Sequence, residues 1–312
     1  MEKLKHVISA RQFDDPAFLL ELFESANAME RDDKFRALTD PLRGRILATL
    51  FYEPSTRTRF SFEAAMQKLG GGVLTAENMR ESSSATKGET IEDTIRIVSG
   101  YADAIAIRHY EQGTAAAAAR ISPVPVINAG DGAGEHPTQA LTDVYTIKKE
   151  LGRLSGLRVA LVGDLLNGRT IHSLLPLLCL PWSGRGDVRI DLVSPWQLRL
   201  PLRHREYLLE KHIAFHEGEK LDEAIEQADV VYITRVQRER FALAEEYEAV
   251  KDVYILDACM ADRLKPEAII MHALPRVNEI SPEVDANVRA AYFRQAKNGL
   301  YIRMALLKYL LA

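Results

Sequence analysis

Only two cysteines occur in 312 residues, Cys179 and Cys259, far apart and outside any Cys-x-x-Cys pair. That excludes a disulfide framework and a cysteine zinc site, and both are expected to be small core residues. The eight histidines show no His-Glu-x-x-His or comparable ligand spacing, so no protein-bound metal is expected. His204, His212 and His216 fall in an amphipathic stretch that reads as surface. No apolar run approaches the roughly 18 residues of a spanning helix, and the segment Met1–Asp15 lacks the apolar centre of a secretion signal. Positive charge is not in excess: a formal net charge of −4 and a pI near 6.1 argue against a nucleic-acid or anionic-membrane surface. The expectation is a soluble cytoplasmic protein with no nucleic acid and no membrane partner, in which an anionic ligand must meet a local cationic pocket.

What is present is an ordinary globular composition, 47% apolar and 27% charged, in a chain long enough to bury roughly three quarters of its unfolded surface. Short β-rich runs recur between helix-patterned segments. They stand at Arg45–Phe51, Val73–Ala76, Ala104–Arg108 and Val124–Asn128, then at Arg158–Gly163, Arg189–Val193, Val230–Thr234, Tyr254–Leu256 and Ile269–Met271. Strands alternating with helices predict an α/β fold of two doubly wound parallel-sheet domains joined by interdomain helices. The boundary is expected near Lys148–Gly156, where a helix over Pro137–Leu151 runs out into glycine and serine. Domains of residues 1–150 and 151–289 follow. A terminal helix over about 290–312, interrupted at Asn298-Gly299, is expected to pack back on the first domain.

In doubly wound folds ligands sit beyond the carboxyl ends of strands. After the first predicted strand comes Glu53-Pro54-Ser55-Thr56-Arg57-Thr58-Arg59 and then a helical pattern ending at Gly70-Gly71-Gly72. Strand, polar turn and helix start is an anion-site layout, in which exposed amides, hydroxyls and guanidinium forks converge. A plain N-cap explains the serine and threonines equally well, but not two arginines facing the positive end of a helix dipole, which calls for an anion. It is not a nucleotide P-loop, because Gly-x-x-x-x-Gly-Lys-Ser/Thr is absent, and Gly163 and Gly168 do not make Gly-x-Gly-x-x-Gly. A second cluster, Gly134-Glu135-His136-Pro137-Thr138-Gln139, also follows a predicted strand. His136 and Gln139, three apart at a helix start, lie on one side and can bond a carbonyl oxygen and an amide together.

Ser-Thr-Arg-Thr-Arg and His-Pro-Thr-Gln, in this order and separation, resemble the two signatures of the carbamoyltransferase family. The resemblance covers nearly the whole chain: Ser82 to Thr90 is similar to the family's mobile loop, Arg108-His109 to its carbamoyl-contacting turn, and Gly163-Asp164 through Gly168-Arg169-Thr170 to the first turn of its second domain. Within the family, Thr234-Arg235-Val236-Gln237-Arg238-Glu239-Arg240 and His272-Ala273-Leu274-Pro275-Arg276 resemble the aspartate-using branch. The ornithine branch's Ser-Met-Gly and His-Cys-Leu-Pro are missing. Aspartate carries two carboxylates that Arg169 and Arg235 can each grip, whereas ornithine's ammonium would be repelled.

The resemblance implies transfer of a carbamoyl group from carbamoyl phosphate to the α-amine of L-aspartate in pyrimidine (UMP) biosynthesis, with no cofactor. The first domain would then bind carbamoyl phosphate and the second aspartate. The alternatives are another acceptor, such as ornithine, or a non-catalytic carbamoyl-phosphate-binding homologue. By motif position Ser55, Thr56, Arg57 and Thr58 would hold phosphate, and Arg108, His136 and Thr58 would polarise the carbonyl. Gln139 and the Pro275 carbonyl would meet the carbamoyl amine, while Arg169, Arg235, Gln237 and the Leu274 backbone would take aspartate. Ser83 and Lys87 would reach a neighbouring subunit's site, Lys87 touching both substrates, so the implied assembly is a homotrimer with shared active sites. A regulatory chain or other pyrimidine enzymes are admitted as further partners. Arg238 and Arg240 read as loop-fixing partners of Glu239 or Glu53. Leu166-Asn167 departs from the family's Lys-Tyr pair before glycine, which bears on loop closure rather than chemistry.

Overall fold

The computed structural model describes residues 4–82, 84–182 and 188–312. Among them nine strands form two wholly parallel sheets. β1 (Ile46–Phe51), β2 (Gly72–Glu77), β3 (Ala104–His109) and β4 (Val126–Asp131) lie in the order β2-β1-β3-β4. β5 (Arg158–Gly163), β6 (Arg189–Val193), β7 (Ala214–Gly218), β8 (Val230–Thr234) and β9 (Ile269–Met271) lie in the order β7-β6-β5-β8-β9. In the first sheet the chain winds outward from β1 to β2, then returns to lay β3 and β4 on the other side. In the second it winds from β5 through β6 to β7 before returning to β8. Each sheet therefore has one reversal of winding, beside β1 and β3 and beside β5 and β8, where neighbouring loops part and leave room for a ligand. The α/β parallel-sheet architecture read from the alternation of strands and helices is the one observed.

Two compact units result, Met1–Thr142 with Lys297–Ala312, and Asp143–Ala296. The helices Pro137–Leu151 and Tyr292–Leu311 each run across a division. Strands bury both faces, so they read as continuous apolar runs rather than alternating ones. Five of six β1 residues are buried, and Leu50, Ile105, Ile107 and Val126 pack with Ile95, Ala115 and Ala118 of covering helices. In the second unit Val162, Val231, Ile233 and Ile270 pack with Leu221, Ile225, Leu264 and Tyr292. Each such aliphatic side chain contributes on the order of 1.5–3 kcal/mol by leaving water.

Five local readings are corrected. Tyr254–Leu256 is not a strand; Leu256 makes one isolated bridge to Ile280 while Tyr254 and Leu256 fill the core. The run Ala214-Phe215-His216-Glu217-Gly218 is an edge strand whose mixed composition hid it. His204 is not surface but buried, stacked on His172 at 4.3 Å, while His212 and His216 are exposed. Cys179 is buried as expected, but Cys259 is exposed on the short helix Ala258–Asp262. The terminal helix passes through Asn298-Gly299 unbroken. A Cβ at Gly299 would meet Arg303 Nη1 at 2.5 Å, so close side-chain approach explains a glycine that costs about 1 kcal/mol of helix propensity.

Candidate active site

The phosphate-type turn forms where the first sheet reverses its winding. Ser55 takes the N-cap position of the helix Thr56–Lys68, but its hydroxyl makes no capping hydrogen bond. The first-turn amides have no intrahelical partner, as at any helix start, and present a positive dipole end with the Ser55 hydroxyl beside them. Thr58 is buried, while Thr56 and Arg57 are exposed. Arg59 does not share their role. It pairs with Glu77 at 2.6 Å and Glu63 at 3.5 Å and donates to the Thr75 hydroxyl at 3.1 Å, which fastens the helix to β2. One of the two arginines at this helix start is thus neutralised within the fold.

Arg108 lies near the end of β3, opposite Phe51 of β1, and is buried. Its guanidinium pairs with Glu53 at 2.9 Å and donates to the Ala129 carbonyl at 3.3 Å, tying the turn after β1 to the end of β4. Glu53 is thus a partner of Arg108. His109 next to it accepts the Glu111 amide at 3.0 Å, and burial keeps its imidazole pKa below the usual value. His136, also buried, precedes the helix Pro137–Leu151, with Gln139 half-buried in its first turn. Asp131 at the end of β4 shapes this loop, accepting the amides of Glu135 and Gly113 at 2.8 and 2.9 Å. Residues Ser55 to Thr58, Arg108, His136 and Gln139 therefore share one unit, at the carboxyl ends of three adjacent strands or just beyond them. Lys87 is exposed on the short turn Ser84–Lys87. Ser83 lies outside the described residues.

The remaining candidates belong to the second unit, on loops after β5, β8 and β9, again adjacent strands. Arg169 opens the helix Arg169–Leu178. Arg235 follows β8 directly, and Gln237 comes two residues later. Both loops are held by Asp164, fully buried, which accepts the Asn167 amide at 2.9 Å and the Gln237 amide at 3.4 Å. Burial raises the Asp164 carboxyl pKa, and the hydrogen bonds from Asn167 and Gln237 work against that rise. Gln237 Nε2 donates to the Asn167 carbonyl at 2.9 Å, so the residue that departs from the family pattern is a direct brace of the acceptor loop. The close approach also explains Gly163: its φ is +109°, and a Cβ there would lie 2.2 Å from the Thr234 carbonyl. His172 donates Nε2–H to Leu165 at 2.9 Å, and burial lowers its pKa to about 4, so it holds this loop as a neutral ring.

After β9, Leu274 adopts φ +56° and donates its amide to His272 Nδ1 at 2.8 Å. His272 Nε2 meets Glu279 at 2.8 Å, and Glu279 also accepts the Val277 and Asn278 amides at 3.0 and 3.1 Å. Burial would raise the Glu279 carboxyl, but these bonds, His272's first, hold it below the ordinary range. Pro275, expected among the carbamoyl-phosphate ligands, sits in this second unit beside Leu274 and is exposed. Glu53, Asp131, Asp164, Glu279 and Asn167 were not singled out as site residues. Carboxylates and amides in loops carry no spacing signal that separates a brace from a solvated surface.

Family models describe the two units separately: residues 5–149 match the aspartate/ornithine carbamoyltransferase carbamoyl-P binding domain, and residues 155–310 the Asp/Orn binding domain of the same family. The chain belongs to the aspartate/ornithine carbamoyltransferase family. Among curated relatives it is 54% identical to the chloroplastic aspartate carbamoyltransferase of Arabidopsis thaliana, over 99% of this chain and 78% of that one. It is 49% identical to the aspartate carbamoyltransferase catalytic subunit of Thermoplasma acidophilum, over 98% of both. Among solved structures it is similar to the aspartate transcarbamoylase of Trypanosoma cruzi in complex with carbamoyl phosphate and aspartate, with a TM-score of 0.91, 42% identity, and 99% of this chain and 96% of that one covered. The first group of loops lies within residues matched by the carbamoyl-P binding domain, and the second within those matched by the Asp/Orn binding domain.

Proposed function

We infer that the protein transfers the carbamoyl group of carbamoyl phosphate to the α-amine of L-aspartate, giving N-carbamoyl-L-aspartate and phosphate. Full-length likeness to aspartate carbamoyltransferases carries this reading, joined to an acceptor loop in which Arg235 stands between residues pinned to Asp164 and Val162. The chemistry needs no side-chain nucleophile. The amine attacks the carbonyl carbon, the carbon–oxygen bond to phosphate breaks, and the departing phosphate takes the amine's proton. The residues' task is to hold anions, polarise one carbonyl and neutralise the leaving group, through orientation and preformed donors. Ser55, Thr56, Arg57 and Thr58 hold the phosphate. Arg108 and His136, with Thr58, polarise the carbonyl oxygen, and Gln139 and Pro275 orient the carbamoyl amine. Arg169 and Arg235 each grip one carboxylate of aspartate, with Gln237 and the Leu274 backbone beside them. Steady-state assays with L-aspartate and L-ornithine side by side test the assignment; turnover with ornithine alone overturns it.

His136 serves as a neutral hydrogen-bond donor rather than as a base. His136→Ala is therefore expected to lower kcat by roughly 10²-fold while carbamoyl-phosphate affinity changes by less than about threefold. Parallel loss of both, read by kinetics and calorimetry, would assign His136 a structural role instead.

We also propose a homotrimer in which Ser83 and Lys87 complete a neighbouring subunit's site. The exposure of Lys87 on a short polar turn supports it. Arg57→Ala and Lys87→Ala chains, each inactive alone, should regain activity when mixed, toward about a quarter of the parental sites in random trimers. Well-assembled hybrids that stay silent would sink site sharing.

A further inference from the structure

Residues leading into the loops after β5, β8 and β9 connect to one buried carboxylate, directly or through one intervening side chain. Asp143, in the middle of the helix Pro137–Leu151, is fully buried and uses both oxygens. Oδ2 accepts the Tyr232 hydroxyl at 2.9 Å, and Oδ1 accepts the Gln295 amide Nε2–H at 2.7 Å. Tyr232 lies on β8, three residues before Arg235, and Thr170, which follows Arg169, also bonds its hydroxyl. Gln295 turns its carbonyl oxygen to the His272 amide at 2.9 Å, and His272 in turn receives the Leu274 amide. Tyr232 and Gln295 are themselves buried, so water cannot substitute for a missing partner.

The direction of every bond in this network follows from the carboxylate. Asp143 accepts at both oxygens. Facing it, Gln295 must present its NH₂ group, which turns the amide oxygen toward His272. The Tyr232 hydroxyl must likewise spend its proton on Asp143, which leaves its lone pairs for Thr170. One group thus dictates the donor and acceptor pattern of three loops whose ends bear Arg169, Arg235 and Leu274.

We propose that Asp143 is the positioning residue of the acceptor half of the site, setting the three loops in the register that presents Arg169, Arg235 and the Leu274 backbone to the acceptor. Its burial keeps it from touching substrate, and it acts through Tyr232 and Gln295. The inference rests on the reading of L-aspartate as acceptor, and it predicts that disturbing Asp143 weakens use of aspartate while leaving carbamoyl phosphate unaffected. A carboxylate that merely stabilised the fold would lower the unfolding temperature without that selectivity.

Asp143→Asn keeps the shape but replaces one acceptor oxygen by a donor. Whichever way the new amide faces, its donor end meets a donor, Gln295 Nε2–H or the Tyr232 hydroxyl, so that partner must turn and give up a bond it makes in the parent. The KM for aspartate should rise by roughly tenfold or more, with carbamoyl-phosphate affinity, measured by calorimetry without aspartate, kept within about twofold. The paired change Asp143→Asn with Gln295→Glu moves the carboxylate across the contact and restores both complementary bonds, so aspartate KM should return most of the way to the parent's. An unshifted aspartate KM, a parallel loss of carbamoyl-phosphate affinity, or a folded double variant with no recovery would each overturn the proposal. Should Asp143→Asn fail to fold, Tyr232→Phe removes one donor only; a smaller rise in the same KM supports the proposal and no rise overturns it. The parent enzyme is the control for the acceptor itself: no turnover of aspartate by the parent overturns both readings, whereas an active parent with unshifted variants overturns this one alone.

Discussion

Replacing Arg108 with alanine is expected to lower kcat by roughly 10²–10³-fold, the range found when a single preformed donor is removed from a developing oxyanion. Arg108 is buried at the end of a central strand, and its fork already spans the turn after β1 and the end of β4 through Glu53 and Ala129. It is therefore held in place before substrate arrives, and little ordering entropy is spent on using it. Removing it also leaves the Glu53 carboxylate without its counter-ion in the loop that must admit a phosphate. Carbamoyl-phosphate affinity should fall as well, in contrast to His136→Ala. Arg108→Lys should recover little, because a point ammonium cannot reproduce a planar fork that meets two partners and a carbonyl at once. Near-parental kcat in the lysine variant would show that charge alone matters, and a loss below about tenfold in the alanine variant would remove Arg108 from the chemistry.

Why could Arg108 be found in the sequence while the groups that hold it could not? Arg108 was legible through the family motif it resembles, while Arg57 and Arg235 stand where local rules are broken, a cation at a helix start and an arginine directly after an apolar strand. Their supports break no rule. Asp143, in mid-helix, reads as one more solvated carboxylate until the fold buries it, and Asp164 and Glu279 read as ordinary loop acids. Arg59 shows the opposite failure: it broke the dipole rule beside Arg57, but Glu63, one helical turn away, and Glu77, which the β1–β2 register brings close, neutralise it. At the level of elements, runs such as Ile46–Phe51 and Val230–Thr234 were legible because parallel strands bury both faces. β7 was not legible, because an edge strand tolerates histidine and glutamate. Tyr254–Leu256 misled for the same reason in reverse, since apolar residues need burial and can find it without a ladder.

Arg235→Ala should reduce kcat/KM for L-aspartate by roughly 10²–10³-fold, the loss expected when a hydrogen-bonded charge pair is cut to one partner, and carbamoyl-phosphate affinity should stay within about twofold. The backbone on both sides of Arg235 is fixed: Thr234 donates its hydroxyl to the Val162 carbonyl at 3.0 Å, and the Gln237 amide reaches Asp164. A guanidinium carried on a pinned strand end discriminates by position as well as by charge, so its partner on the substrate can be identified. The two monoamides of aspartate, asparagine and the α-amide, each lack one negative charge. If Arg235 grips one carboxylate, the penalty of Arg235→Ala should largely disappear for the monoamide that has lost that carboxylate and persist for the other, which is a thermodynamic cycle between one residue and one substrate group. The same cycle run with Arg169→Ala should select the opposite monoamide, because two forks and two carboxylates leave each arginine one partner. Undiminished penalties with both monoamides would mean that Arg235 shapes its loop rather than holding aspartate.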